Sequence, residues 1–188
     1  MDRPFLDSLA TSLEYPTPGT AATARSAADL AAGDHPDLAK PLWDLAVYLE
    51  TADHGEPEER YTRLFDMSPV CTLHVGYHLF GDAYERGAFL SNMAAEVREA
   101  GLHAELEREL PDYLPTVLRL LARVADETDR HILLMDALLP AVARMTEALG
   151  DSDTPWSRVV AALPSVLGGA LPDPEEATNE EVRSHASP

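Results

Sequence analysis

The sequence predicts an all-α, single-domain bundle of about seven helices. Three observations lead there. Apolar residues recur three and four positions apart through most of the 188-residue chain, which is the period of a helix with one buried face. Ala and Leu dominate while runs of Val, Ile and Thr are scarce. No strand pattern alternates convincingly with the helical ones, so a mixed sheet has nothing to build on. A chain of this length buries one sizeable core, and residues 1–170 are expected to form that domain. Residues 171–188 turn polar, with Pro172, Pro174 and four glutamates, and are expected to be a disordered tail.

Each element has its own signal. Phe5, Leu6, Leu9 and Leu13 make a first helix that the Tyr15-Pro16-Thr17-Pro18-Gly19 breaker ends. Ala-rich residues 20–32 make a second, closed by Gly33, and Leu38, Leu42, Leu45, Ala46 and Leu49 are the buried stripe of a third. Glu56-Pro57-Glu58-Glu59 suits a helix start, because acidic groups complement the N-terminal dipole and proline needs no donor there. That helix carries Tyr61, Leu64 and Phe65. Between Pro69 and Gly81, Cys71, Leu73, Val75, Tyr77 and Leu79 alternate with polar residues or glycine as a strand would. A lone strand has no partner, so the segment is expected to be an irregular or helical connector. Asp82 is placed to cap a helix over about 83–100 that stops at Gly101. Leu114 to Val124 and Leu134 to Leu149 carry two strong stripes, and Trp156, Val159, Val160, Leu163 and Val166 mark a shorter helix at 155–167.

Composition also limits function. Hydrophobic residues at 45% exclude a disordered chain. The N-terminus has no signal-peptide pattern and no apolar run reaches the roughly 18 residues of a membrane span, so a soluble cytoplasmic protein without membrane insertion is expected. A single cysteine, Cys71, suits a reducing compartment. Against 33 acidic residues stand 14 basic ones, a net charge of -19, and Lys40 is the only lysine. Such a field repels nucleic acid and favours encounter with basic partners, although acidity also serves solubility alone.

Catalytic signatures are missing. The chain has no glycine-rich phosphate loop, G-x-S-x-G elbow, H-E-x-x-H or CxxC, and no enzymatic activity is expected. Cys71, His74 and His78 have a spacing that puts three metal ligands on one helical face, yet a complete site needs a fourth ligand. The alternatives are a metal-binding protein or a buried thiol with ordinary polar histidines. The acidic groupings Glu58-Glu59, Glu105-Glu107-Glu109 and Glu175-Glu176 fit solvated faces better than acid–base machinery. Tyr61, Phe65, Tyr77, Phe80 and Tyr84 crowd into one stretch with His74, His78 and Arg86. They suit either a groove that grips a peptide or the core itself.

Tyr61-Thr62-Arg63-Leu64-Phe65-Asp66, then Cys71-Thr72-Leu73-His74 and Gly81-Asp82 through Arg86-Gly87, resembles the central signature of NarJ-type nitrate reductase assembly chaperones. Ala100-Gly101-Leu102 followed by Glu109-Leu110-Pro111-Asp112-Tyr113-Leu114-Pro115 resembles their proline–aspartate motif. The likeness spans about residues 56–125. It implies the all-helical fold shared with the TorD and DmsD chaperones and a partner that is the catalytic subunit of a molybdenum oxidoreductase. The chaperone would bind that subunit, often through its N-terminal segment, and keep it competent for cofactor insertion, with no cofactor of its own. Nitrate reductase is the first choice of client. Val75-Gly76-Tyr77-His78-Leu79-Phe80-Gly81 also looks like the branch serving perchlorate, selenate and chlorate reductases and ethylbenzene or dimethylsulfide dehydrogenases. Asp112 matches the family motif as a client-contact or loop-organising residue, whereas Tyr113 stands where members commonly have histidine. The implied client-binding set is Tyr61, Phe65, Tyr77, His78, Phe80, Tyr84, Arg86, Glu109, Leu110, Pro111, Asp112 and Tyr113.

Overall fold

The computed structural model describes residues 1–67 and 70–168; the tail expected at 171–188 lies outside them. The first helix, α1 (Arg3–Ser12), starts where Asp2 accepts a hydrogen bond from the Phe5 amide at 3.1 Å, filling one of the donors a helix start leaves open. It buries Phe5, Leu6, Leu9 and Ala10, with Leu13 following. Next come α2 (Thr20–Ala31), α3 (Pro36–Thr51) and α4 (Glu56–Phe65), close to the expected boundaries. The connector holds one short helix, α5 (Val75–Phe80). Beyond it are α6 (Glu85–Glu99), a single turn α7 (His103–Leu106), α8 (Leu114–Leu121), α9 (Glu127–Ile132), α10 (Leu139–Leu149) and α11 (Pro155–Gly168).

Among the described residues the helices therefore outnumber the seven or so expected, mainly because α5, α7 and α9 are too short to show a stripe of their own. Two further details differ from expectation. Asp82 caps nothing: α6 begins at Glu85 with Tyr84 before it and no side-chain cap. The stripe from Leu134 to Leu149 is not one regular helix either. Residues Leu133–Leu138 form a π-helical segment between α9 and α10, in which the Leu139 amide reaches back five residues to the Leu134 carbonyl. Pro140 follows at the start of α10 and has no N–H to offer the ladder. The predicted stop of α6 holds: Gly101 has φ 75°, a left-handed value that costs glycine little.

In the bundle, α3 packs on α2 and α11, α11 on α10, and α1 on α2 and α8. Trp156 of α11 sits where these meet, fully buried. Its ring meets Tyr48 of α3 edge-on at 5.8 Å and Tyr61 of α4 at 5.5 Å, and its indole N–H donates to the Ser12 carbonyl at 3.2 Å. Two arginines tie the α8 region to the N-terminal segment: Arg119 of α8 lies 2.6 Å from Glu14, just after α1, and Arg123, just after α8, lies 2.8 Å from Asp7 of α1. Among the described residues no helix is long and apolar enough to cross a membrane.

Candidate functional site

The two segments singled out in the sequence meet in space. The Val75 amide donates to the Asp112 carbonyl and the Leu114 amide to the Leu73 carbonyl, both at 2.8 Å, which makes an isolated antiparallel bridge of His74 and Tyr113. The strand-like alternation at 71–79 is thus realised for one residue pair, after which the chain coils into α5. Asp112 completes the junction from inside. It is fully buried, and its Oδ2 accepts from the Gly76 amide in the first turn of α5 at 3.0 Å. The guanidinium of Arg86 stands 3.6 Å from the same oxygen. The other carboxylate oxygen, Oδ1, and Arg86 Nε are buried without hydrogen-bond partners.

Gly76 makes this approach feasible. A Cβ there would stand 2.8 Å from Asp112 Oδ2 and 2.9 Å from the Phe89 ring, closer than carbon tolerates. Asp112, with no exposed side-chain surface, thus joins the 109–114 loop to the first turn of α5.

Tyr113 joins the junction to the core. The Tyr61 hydroxyl lies 2.9 Å from the Leu13 carbonyl and 2.9 Å from the Tyr113 hydroxyl. A carbonyl only accepts, so Tyr61 donates to Leu13 and Tyr113 donates to Tyr61. Burial pushes both phenols above their ordinary range, and they remain neutral donors. On its other side Tyr113 faces His74, whose ring is 5.8 Å away and whose Nε2 is 3.9 Å from Glu109.

The predicted binding residues divide by burial. Tyr61 and Phe65 are core residues, with rings 4.9 Å apart, so they do not line an open groove. Pro111 and Tyr113 are half-buried beside Asp112. Tyr77, Tyr84, Glu109 and Leu110 are exposed, Tyr84 almost completely at 94%, and Arg86 lies over the Tyr77 ring at 5.7 Å. Phe80 is separated from these and packs towards Phe89 at 5.4 Å.

Cys71 and His78 are neighbours, with Sγ 3.9 Å from Nε2. That nitrogen also lies 2.8 Å from the Thr72 carbonyl, to which it can only donate, so it offers no lone pair to a thiol or a metal. His74 turns instead to Thr72 Oγ1 at 2.9 Å. Among the described residues no three His, Cys, Asp or Glu side chains are grouped to hold a metal ion, and Cys71, His74 and His78 form no such site. Burial pushes the Cys71 thiol up to about 12. Because the thiolate is the nucleophile, a maleimide at pH 8 is expected to label the native protein far more slowly than the urea-unfolded protein, as followed by mass spectrometry. Equal rates would contradict the burial.

A second feature was not legible as a site. Leu79 and Phe80 at the end of α5 border an apolar groove of about 330 Å³ that continues along α6, α8, α9 and the π segment. Phe89 and Met93 of α6 line it. The available signal was that Ile132, Leu133 and Met135 fall off the stripe of Leu134, Leu138 and Val142, where a one-faced helix has polar residues.

Comparison with known proteins gives a consistent picture. The sequence model described as nitrate reductase delta subunit matches residues 32–162. NarW of Escherichia coli K12, named a nitrate reductase molybdenum cofactor assembly chaperone, is 28% identical over 130 residues, 69% of this chain and 55% of NarW. The chain thus spans just over half of that relative. NarJ of Bacillus subtilis 168, which bears the same description, is 28% identical over 126 residues, 65% of this chain and 67% of NarJ. A crystal structure from Archaeoglobus fulgidus, described as a redox enzyme maturation protein, superposes with a TM-score of 0.59 at 20% identity and covers 88% of this chain and 93% of its own. That similarity supports the fold.

Proposed function

Because this chain belongs to the nitrate reductase delta subunit family, we propose that it is a non-catalytic assembly chaperone of the NarJ type. It acts in the cytoplasm on the catalytic subunit of a molybdenum oxidoreductase, nitrate reductase before the related reductases and dehydrogenases. It engages the client's N-terminal segment and keeps the subunit open until molybdenum cofactor is inserted and the complex assembles. Its relatives NarW and NarJ are named nitrate reductase molybdenum cofactor assembly chaperones, which supports this reading.

The observation that carries the proposal is the junction itself. The two stretches that resemble the family signature lie far apart in sequence, yet they are locked together around buried Asp112, with Tyr77, Tyr84, Glu109 and Leu110 exposed beside it. A rigid, buried polar anchor beneath an exposed aromatic and acidic surface suits recognition, since fixed contact residues lose little entropy on binding. The net charge of -19 speeds encounter with a basic client and disfavours acidic competitors.

Co-purification is the test. The chain is expected to retain the cofactor-free catalytic subunit and to release it once cofactor is present. Calorimetry with the client's N-terminal peptide is expected to give a micromolar dissociation constant, because release must follow. Retention by the mature enzyme would point to a permanent subunit, and no capture of the cofactor-free subunit would overturn the proposal.

A further inference from the structure

The helix α5 is held at the end opposite Asp112 as well. With six residues it is far below the roughly 12–15 at which an isolated helix is even marginal in water, and only Val75 and Gly76 of it are buried. Its own hydrogen bonds do not account for its order. The polar groups that a helix leaves open at its two ends find partners elsewhere in the fold. The Val75 amide donates to the Asp112 carbonyl at 2.8 Å and the Gly76 amide to Asp112 Oδ2 at 3.0 Å. At the other end Arg144 of α10 donates through one guanidinium nitrogen to the carbonyls of His78 and of Leu79, the latter at 3.1 Å. The Gly81 amide serves the Tyr77 carbonyl at 2.7 Å.

The charges at the two ends have the signs the helix dipole favours, a carboxylate at the N-terminus and a guanidinium at the C-terminus. They come from separate elements, Asp112 from the loop before α8 and Arg144 from the exposed side of α10, so α5 is gripped across the fold. The chain has 33 acidic residues, yet among the described residues Arg144 makes no ion pair. Its donors go to α5 instead. Under the helix lies Cys71, 2% exposed. His78 of α5 rests against it, with Nε2 3.9 Å from Sγ, so access to the thiol reports where α5 is.

We propose that Arg144 is a positioning residue: with Asp112 it clasps α5 at both ends, and without it α5 opens as a local unit that uncovers Cys71 and no longer holds Tyr77 in one place. That the placement of Tyr77 serves client contact rests on the chaperone function; the clasp rests on the hydrogen bonds alone. Elements with little buried surface open at a fraction of the global unfolding free energy. Removing a charged donor from two carbonyls acts most strongly where a helix has least else to hold it.

Cys71 is the only cysteine, so its reaction with a maleimide at pH 8 reads the opening of α5 in the full chain. Arg144→Ala is expected to speed labelling of the native protein about tenfold with unchanged circular dichroism, since Arg144 is exposed. Arg144→Lys keeps a charged donor and is expected to recover most of the slow rate. Arg98→Ala is expected to match wild type, because that guanidinium serves the Ala94 carbonyl of its own helix. Labelling of Arg144→Ala is also expected to stay nearly flat at low urea, since a short helix exposes little surface when it opens. An unchanged rate in Arg144→Ala would overturn the clasp. So would a rate that climbs with urea as steeply as global unfolding does, which would make the thiol report the whole domain. Capture of the cofactor-free subunit separates the two claims. A several-fold loss of capture in Arg144→Ala, restored in Arg144→Lys, supports the placement of Tyr77 for the client. Fast labelling with undiminished capture removes α5 from client contact and leaves the clasp, whereas fast labelling with no capture even by wild type removes the chaperone and leaves the clasp.

Discussion

Trp156→Ala is expected to lower the unfolding free energy by about 3–5 kcal/mol, measured by urea denaturation, and to leave the protein at or near the limit of stability for a single domain. The magnitude follows from where the ring sits. It is fully buried between Tyr48 and Tyr61 and donates to the Ser12 carbonyl, so truncation opens a cavity shared by α1, α3, α4 and α11. It also strips a buried carbonyl of its donor. Trp156→Phe keeps most of the volume and loses only the N–H, and about 1–2 kcal/mol is expected there. Similar losses for the two substitutions would mean that the hydrogen bond, and not the packing, holds this centre.

The second large effect concerns the junction. Asp112→Ala is expected to cost about 3 kcal/mol, because it leaves the Gly76 amide without its acceptor and the half-buried Arg86 without its counter-charge. Gly76→Ala is expected to cost about 1–3 kcal/mol by overpacking, since the added methyl would meet both Asp112 Oδ2 and Phe89. The double variant tells whether the two act through one contact. Removing the carboxylate clears one of the obstacles to the methyl group, so the combined loss is expected to fall short of the sum. Strict additivity would separate Gly76 from Asp112. In both single variants α5 loses its anchor, and capture of the cofactor-free client is expected to drop more than stability alone accounts for. The check is to repeat the capture assay at a temperature where the variants remain folded. Client capture as strong as wild type would show that the junction serves the fold only.

Much of this molecule is legible in the amino-acid sequence. The stripes Phe5, Leu6, Leu9 and Leu114, Val117, Leu118, Leu121 are interior as their spacing requires, because helical periodicity is a local property of the chain. Boundaries set by local chemistry, such as Gly101 and the acidic start of α4, follow for the same reason. The family signature was equally readable, in two separate stretches whose order carried the resemblance. What local pattern cannot express is which residues share a neighbour across the fold. Tyr61 and Phe65 read as groove or as core, and packing of Tyr61 against Trp156 and Phe65 is what makes them core. Cys71, His74 and His78 have ligand-like spacing, but the Thr72 carbonyl accepts a hydrogen bond from His78 Nε2 and the Thr72 hydroxyl holds His74. Asp112 could have been a surface contact until the bridge from His74 to Tyr113 enclosed it. The groove at Phe80 and Ile132 exists only because α5, α6, α8 and the π segment leave space between them. Helical character thus belonged to the sequence, since it depends on residues three and four apart, while burial, pairing and open surface were decided by tertiary structure, which alone brings residues 73–76 onto 112–114.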